Sequence, residues 1–360
     1  VTAPDRNQLQ AALNSSPEPW LGGDFSAAGW PVEWDITAQR VGLRVQPGYP
    51  LRRSRAATAG RMAEALAPAA GRAKVEVTLE PEIRAHPVQP NVVRLAGIKN
   101  VLAVASAKGG VGKSTVAANL ALALADEGAR VGMLDADIYG PSQPRLLGLS
   151  GHPHSHDGKQ LEPLSAFGLK VMSAGFLVDP ATPMIWRGPM VTQALTQLLS
   201  GTAWGELDYL IVDMPPGTGD IQLTLAQRVP VAGAVIVTTP QEIAVADARK
   251  GLAMFRKVEV PVLGIIENMS GFRCAHCNEV TEIFGAGGGA RLAEESGVAL
   301  LGQIPLDPRI QANADAGHPS VVADPTSDNA ADYRAAALKT AAVLALRSRS
   351  TRAGPDIVME

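Results

Sequence analysis

The chain has 360 residues, 46% hydrophobic and 19% charged, with a formal net charge of -3. That length holds one large domain and a smaller one, and the composition excludes a disordered chain. The charge excludes a broad basic footprint for duplex DNA, and an aromatic content of 4% leaves little stacking surface for single strands.

No apolar run reaches the length of a membrane-spanning helix, and the opening VTAPDRNQLQ lacks the basic-then-apolar pattern of an export signal. Two cysteines in so long a chain make no disulfide framework, so a reducing, cytoplasmic setting is expected.

In chain order, residues 1–85 read as a small α+β domain. They contain Trp20, Trp30 and Trp34, a helical stretch RAATAGRMAEALAPAAG and a strand-like AKVEVTLEPEI. This part has no cysteine, so it cannot ligate metal by thiolate, and a docking or structural role is expected for it. HPVQPNVVRLAGIKN, with two prolines, reads as a linker covering 86–99.

The pattern then changes, and residues 100–347 read as one large domain. NVLAVAS, ARVGMLDAD, LDYLIVDMP, GAVIVTTP and PVLGIIENM are nearly continuous in Val, Ile and Leu. Strands covered by helices on both faces of a parallel sheet read this way. Between them, TVAANLALALADEG puts Val116, Leu120 and Leu124 on one helical face, with Gly128 as the cap. AVADARKGLAMFRKV does the same with Val245, Ala248, Leu252 and Phe255. The alternation predicts a doubly wound, mostly parallel α/β sheet with its ligand at the carboxyl ends of the strands. His152, His154 and His156 fall in the polar stretch GHPHSHDGK and read as a solvated loop. Residues 348–360 read as a flexible tail; ALRSRSTRAGPDIVME is basic but has no apolar face for a membrane.

The stretch Ala107, Lys108, Gly109, Gly110, Val111, Gly112, Lys113, Ser114 and Thr115 is a Walker A pattern whose first glycine is replaced by alanine. It follows a predicted strand and opens a predicted helix, the context a phosphate loop requires. The glycines let backbone N–H groups converge on phosphate oxygens, and the helix N-terminus adds partial positive charge. In that pattern Lys113 neutralises the terminal phosphates of ATP and the Ser114 hydroxyl ligates Mg²⁺. Asp213 closes the apolar run YLIVD at the sheet's carboxyl edge, where a Walker B acid holds the metal's water shell. Asp135 and Asp137 end another strand and, two apart, point to the same side; one of them is placed to position an attacking water.

Cys274 and Cys277 form a C-x-x-C in GFRCAHCNEV. A thioredoxin-like pair would need a helix starting at the first cysteine, and none is evident. A closed metal site needs four ligands, and one chain supplies two thiolates. Two chains about a twofold axis supply four, which suits a bridging [4Fe–4S] cluster, and zinc with equal arithmetic. His276 reads as a surface residue.

KGGVGKST, LDADIYGPSQPRLLG, WRGPM, DMPPGTGD, TTPQEIAVADARKG and NMSGFRCAHC, spread over about residues 96 to 320, resemble the Mrp-type iron–sulfur carrier ATPases. These belong to the deviant-Walker-A superfamily with MinD, ParA, the arsenite-pump ATPase and nitrogenase iron protein. The resemblance implies a P-loop NTPase domain and a homodimer that hydrolyses ATP slowly and delivers an iron–sulfur cluster to apo iron–sulfur proteins. The charge, the aromatic content and the tail lead to no nucleic-acid or membrane partner being expected.

By the same resemblance Lys108 is the signature lysine, which reaches across the dimer to the phosphates bound by the partner subunit. It further implies that Asp137 orients the attacking water, Asp213 holds the metal through water, and Asn268 hydrogen-bonds adenine. Relatives usually carry glycine where Ala107 stands, but the ParA branch carries larger residues, so the position need not have a positive φ. A MinD- or ParA-like positioning switch and a nitrogenase-type reductase share the ATP site. The closely spaced cysteine pair separates them from a cluster carrier.

Overall fold

The computed structural model describes residues 2–90, 92–155, 158, 160–177, 188–274, 276–277 and 279–350. Trp186 and Arg187 of the WRGPM motif, His156 and residues 351–360 of the tail lie outside the described residues.

The chain divides into two compact units. The first comprises Val1–Arg84, Asp126–Gly128 and Ala341–Glu360; the second comprises Ala85–Ala125 and Ala129–Thr340. The first unit holds helices α1 (Arg6–Asn14), α2 (Phe25–Ala28) and α3 (Arg55–Ala70), with strands β1 (Val32–Ile36), β2 (Arg40–Val45) and β3 (Lys74–Leu79). The strands form a sheet in the order β1-β2-β3, antiparallel between β1 and β2 and parallel between β2 and β3. β2 alternates, burying Val41, Leu43 and Val45 and exposing Arg40 and Arg44. Buried Thr58, Met62 and Leu66 fall on one face of α3, the period-four pattern of a helix with one covered side.

The second unit is a nine-stranded sheet. Its strands are β4 (Ile98–Ala105), β5 (Val131–Asp135), β6 (Leu164–Ala166), β7 (Leu169–Ser173), β8 (Leu207–Asp213), β9 (Gly233–Thr238), β10 (Val262–Arg273), β11 (Val280–Thr281) and β12 (Ala299–Leu306). The order is β11-β10-β9-β4-β8-β5-β7-β6, and β12 also pairs with β10. Only β11 on β10 and β6 on β7 are antiparallel. Every residue of β5, β8 and β9 is buried, as unbroken aliphatic runs require when both faces are covered. Each fully buried Val, Leu or Ile contributes about 1.5–3 kcal/mol, so this core carries most of the unit's stability.

The connecting helices are α4 (Lys113–Asp126), α5 (Gln143–Leu146), α6 (Gly188–Ser200), α7 (Asp220–Arg228), α8 (Glu242–Lys257), α9 (Gly288–Ser296), α10 (Pro308–Asp315), α11 (Ser320–Ala323) and α12 (Asp328–Ser350). α8 buries Val245, Ala248, Leu252 and Phe255, the face expected from spacing. α4 differs from a one-faced helix, because Val116 through Leu124 are all buried. Its alanines leave room for neighbours on every side, so it runs through the core. No helix among the described residues is long and apolar enough to cross a membrane.

Candidate nucleotide site and cysteine hairpin

β4 lies between β8 and β9, and the chain leaves it to return on both sides of it. A crevice opens at the carboxyl end of such a strand, and the loop from Ser106 to Gly112 occupies it. Gly110 and Gly112 have φ of 82° and 81°, values a side chain would strain. A Cβ on Gly112 would also sit against the amide nitrogen of Asn268. Ala107 is not among the left-handed non-glycine residues, which among those described are Phe167, Glu259 and Met269. Alanine is therefore tolerated at that point without backbone strain. Ser106 braces the turn, its hydroxyl donating to the Lys108 carbonyl at 2.9 Å and its own carbonyl accepting from Gly217 N–H at 2.9 Å.

The loop's two lysines differ in setting: Lys108 is exposed, whereas Lys113 is buried at the start of α4. The Lys113 ammonium is paired with the Asp213 carboxylate and lies 3.2 Å from Ser114 Oγ. Asp213, at the end of β8, is fully buried, as is Asp135 at the end of β5. The register sets Asp135 opposite Asp213. Two carboxylates and one ammonium thus share a dry site, and the consequence falls on Asp135. Burial first, and the Asp213 charge second, push its pKa up to about 7, against the pull of N–H groups from Gln143 and Asp137 and of Lys113. Asp137, half-buried, is also raised by burial. It accepts from Gly140 N–H at 3.3 Å, and its own N–H donates to Asp135 Oδ1 at 3.2 Å.

Two further residues, unsingled by the motifs, complete this cluster. Gln143, the first residue of α5, is fully buried. Its backbone N–H donates to Asp135 Oδ2 at 3.0 Å, and its side-chain amide donates to Asp213 Oδ2 at 2.8 Å and to the Ser114 carbonyl at 3.0 Å. Ser173, at the end of β7, donates to Asp135 Oδ2 at 3.1 Å. A glutamine before a proline carries no signal of burial, and only the chain's return to the sheet edge places it here.

The set fits a magnesium–nucleotide pair. Mg²⁺ takes hard oxygen donors and keeps several waters, and the Ser114 hydroxyl and the Asp213 carboxylate supply such oxygens. Glycines with left-handed φ and a helix N-terminus suit the phosphates. Lys113 would exchange Asp213 for phosphate oxygens, leaving Asp213 for the metal's water. Lys113→Ala is expected to weaken ATP binding by about 2–5 kcal/mol, since it removes a shielded charge partner. Calorimetric titration of ATP into both proteins checks it, and equal affinities would remove the loop from binding.

The Asp135 shift predicts a pH effect in the nucleotide-free protein. Because the folded pKa lies above the unfolded one, the stability it contributes is complete below about pH 4 and lost as pH rises through about 7. Asp135→Asn, which cannot ionise, should flatten the fall in thermal midpoint between about pH 5 and about pH 7.5. A variant that keeps the wild-type slope would refute this assignment.

Asn268 lies on β10, and its amide donates to the Val111 carbonyl of the phosphate loop at 2.8 Å. Beyond it the strand breaks register with β12 between Asn268 and Phe272, and Met269 takes a left-handed φ of 57°. β10 then turns into a hairpin with β11, pairing Phe272 with Thr281 and Arg273 with Val280. Cys274 N–H donates to the Glu279 carbonyl at 2.9 Å, closing the hairpin loop. Arg273 ties its base to α12 through Asp328 at 3.0 Å.

Both cysteines are free; Cys277 is exposed and Cys274 partly so, and His276 between them is exposed. N–H groups of Cys277 and then His276, together with the Cys277 side chain, hold the Cys274 thiol below its usual range. That favours the thiolate, the form that binds metal. Among the described residues no group of three or more His, Cys, Asp or Glu side chains is arranged to hold a metal ion, so one chain brings two thiolates and no more. His152 is held by its Nδ1 2.6 Å from the Phe176 carbonyl, and His154 is exposed.

A parallel sheet with a glycine loop between its central strand and a buried helix, and an acid at the neighbouring strand's end, defines a P-loop NTPase fold. The sequence model of the family described as "ParA: NUBPL iron-transfer P-loop NTPase" matches residues 97–341, and the chain belongs to that family. It is 57% identical over 264 residues to an iron-sulfur cluster carrier protein of Pseudomonas fragi, covering 73% of this chain and 91% of that one. An iron-sulfur cluster carrier protein of Haemophilus influenzae is 44% identical over 329 residues, 91% of this chain and 89% of its own. Among solved structures, a nucleotide-binding protein in complex with ADP from Archaeoglobus fulgidus superposes with a TM-score of 0.58 at 42% identity. The match covers 65% of this chain and 92% of that one.

Proposed function

We propose that this protein is a cytoplasmic ATP-binding and ATP-hydrolysing carrier that holds an iron–sulfur cluster as a homodimer and passes it to apo iron–sulfur proteins. The observation that carries the reading is the course of β10. One strand touches the phosphate loop through Asn268 and ends at Arg273, directly before Cys274 of an accessible cysteine hairpin. The names of the relatives, cluster carriers at 44–57% identity, support the same cargo.

In this reading the loop from Ala107 to Thr115 binds the phosphates, with Lys113 neutralising charge within its own subunit. Ser114 and, through water, Asp213 hold Mg²⁺, which when bound offsets charge on the phosphates. Asp137 orients the attacking water, and Asn268 exchanges the Val111 carbonyl for adenine. Lys108, exposed, reaches the phosphates of the partner subunit. Cys274 and Cys277 of two chains supply four thiolates to one [4Fe–4S] cargo.

Anaerobic reconstitution with iron and sulfide tests the whole. About four irons and four sulfides per dimer are expected for a cluster ligated by four thiolates. Protein that takes up zinc and no iron–sulfur cluster would overturn the cargo, and a protein that stays monomeric would overturn the bridging site.

A further inference from the structure

The Gln143 side chain is fully buried at the sheet's carboxyl edge, among Ser114, Asp135 and Asp213. Its amide orientation is determined by its neighbours. The Ser114 carbonyl and the Asp213 carboxylate only accept hydrogen bonds, so the NH₂ end must face them and the carbonyl oxygen must face elsewhere. That oxygen, Gln143 Oε1, is buried and has no hydrogen-bond partner among the described residues. Buried acceptors without a donor are rare in native proteins, and this one belongs to a side chain bonded to both the Ser114 carbonyl and the Asp213 carboxylate, where a water of a bound metal would supply the donor.

We infer that Gln143 is a positioning residue of the nucleotide site, its Oε1 accepting a hydrogen bond from a water of the bound magnesium while its NH₂ holds Asp213 toward the same water shell. The inference rests on the magnesium–nucleotide reading of this site and adds to it a residue that neither the Walker A stretch nor the strand-end acids contain. Magnesium keeps several of its waters when bound, and each presents O–H donors of the kind Oε1 lacks. One carboxamide thus serves both sides of the shell. It donates to the acid that would accept a hydrogen bond from one water, and it would itself accept one from another. The same NH₂ also bonds the carbonyl of Ser114, so the metal's hydroxyl ligand and its acid are held by one side chain. The backbone N–H of Gln143 adds Asp135 to this frame.

The test separates metal binding from nucleotide binding in the full-length protein. ADP affinity is measured by calorimetry in EDTA and across a Mg²⁺ titration for wild type, Gln143→Met and Gln143→Glu, with thermal unfolding as a check on folding. Met keeps the length and loses both functions; Glu keeps an acceptor oxygen and loses the donor. Gln143→Met should raise the Mg²⁺ concentration needed for half-maximal enhancement of ADP binding by about tenfold, the usual loss when a partner of a metal's ligand shell is removed. Its ADP affinity in EDTA should match wild type, and Gln143→Glu, which keeps an acceptor oxygen but loses the donor to Asp213, should raise the Mg²⁺ requirement by less than Gln143→Met does.

An unchanged requirement in Gln143→Met would overturn the assignment. So would an equal rise in both variants, or ADP binding weakened as much in EDTA as in Mg²⁺. If Gln143→Met does not fold, a raised Mg²⁺ requirement in Gln143→Glu with wild-type ADP affinity in EDTA supports the assignment, and an unchanged requirement overturns it. A wild-type protein that binds no ADP would instead bring down the nucleotide site itself, and this inference with it.

Discussion

Cys274→Ser and Cys277→Ser are each expected to abolish cluster reconstitution while leaving ATP affinity at the wild-type value. The loss is complete because a twofold site counts every substitution twice, and one change takes two of four thiolates. Serine is a poor replacement, since the ligand must be deprotonated and a hydroxyl gives up its proton far less readily than a thiol. Nucleotide binding is spared because neither cysteine belongs to the phosphate loop, which β10 reaches only at Asn268. Iron and sulfide are counted after anaerobic reconstitution, and ATP is titrated calorimetrically into the same preparations. A single-cysteine variant that retains the full iron and sulfide of wild type would sink the bridged dimer.

Lys108→Ala is expected to lower kcat while leaving ATP affinity nearly intact. The exposed Lys108 and the buried Lys113 are separated by the left-handed glycines of the loop. On the proposed reading the buried Lys113, paired within its chain, serves its own subunit's phosphates and the exposed Lys108 serves another subunit's. A charge delivered in trans acts on the phosphoryl group as it transfers, so it stabilises the transition state and not the bound substrate. An arginine in that role is worth about 10³–10⁵ in rate, and a smaller factor is expected from lysine, a point charge without the guanidinium fork. Mixing Lys108→Ala with Lys113→Ala subunits, each inactive alone, is the sharper measurement. In the mixed dimer the Lys108→Ala chain binds ATP through its own Lys113 and receives Lys108 from its partner, so one working site should reappear. Mixed dimers that form and hydrolyse no faster than the separate variants would show that Lys108 does not act across the interface.

Several parts of this protein were legible in the residue string because they depend on neighbours in sequence. The loop from Ala107 to Thr115 reads as a phosphate site because glycine spacing, a preceding aliphatic run and a following helix are all local. The parallel sheet reads from runs such as YLIVD and GAVIVTT because burial on both faces leaves no polar alternation. Cys274 and Cys277 stand out as the chain's only thiols.

Other properties belong to groups that meet only in the folded chain. Asn268 bonds to Val111 across 157 residues, and Gln143 to Asp213 across 70; nothing local to either amide announces its partner. α4 presents one apolar stripe to a periodicity count, yet it is buried on every side, because small alanines reveal nothing about what packs against them. Asp135 and Asp213 look alike as strand-end acids. Lys113 pairs with Asp213, leaving Asp135 to be pushed toward neutrality by burial and by its neighbour's charge. Sequence determined which chemical groups this protein owns and which short turns they occupy. Tertiary structure decided which of them lose water together, and in a dry site that loss sets charge, partner and role.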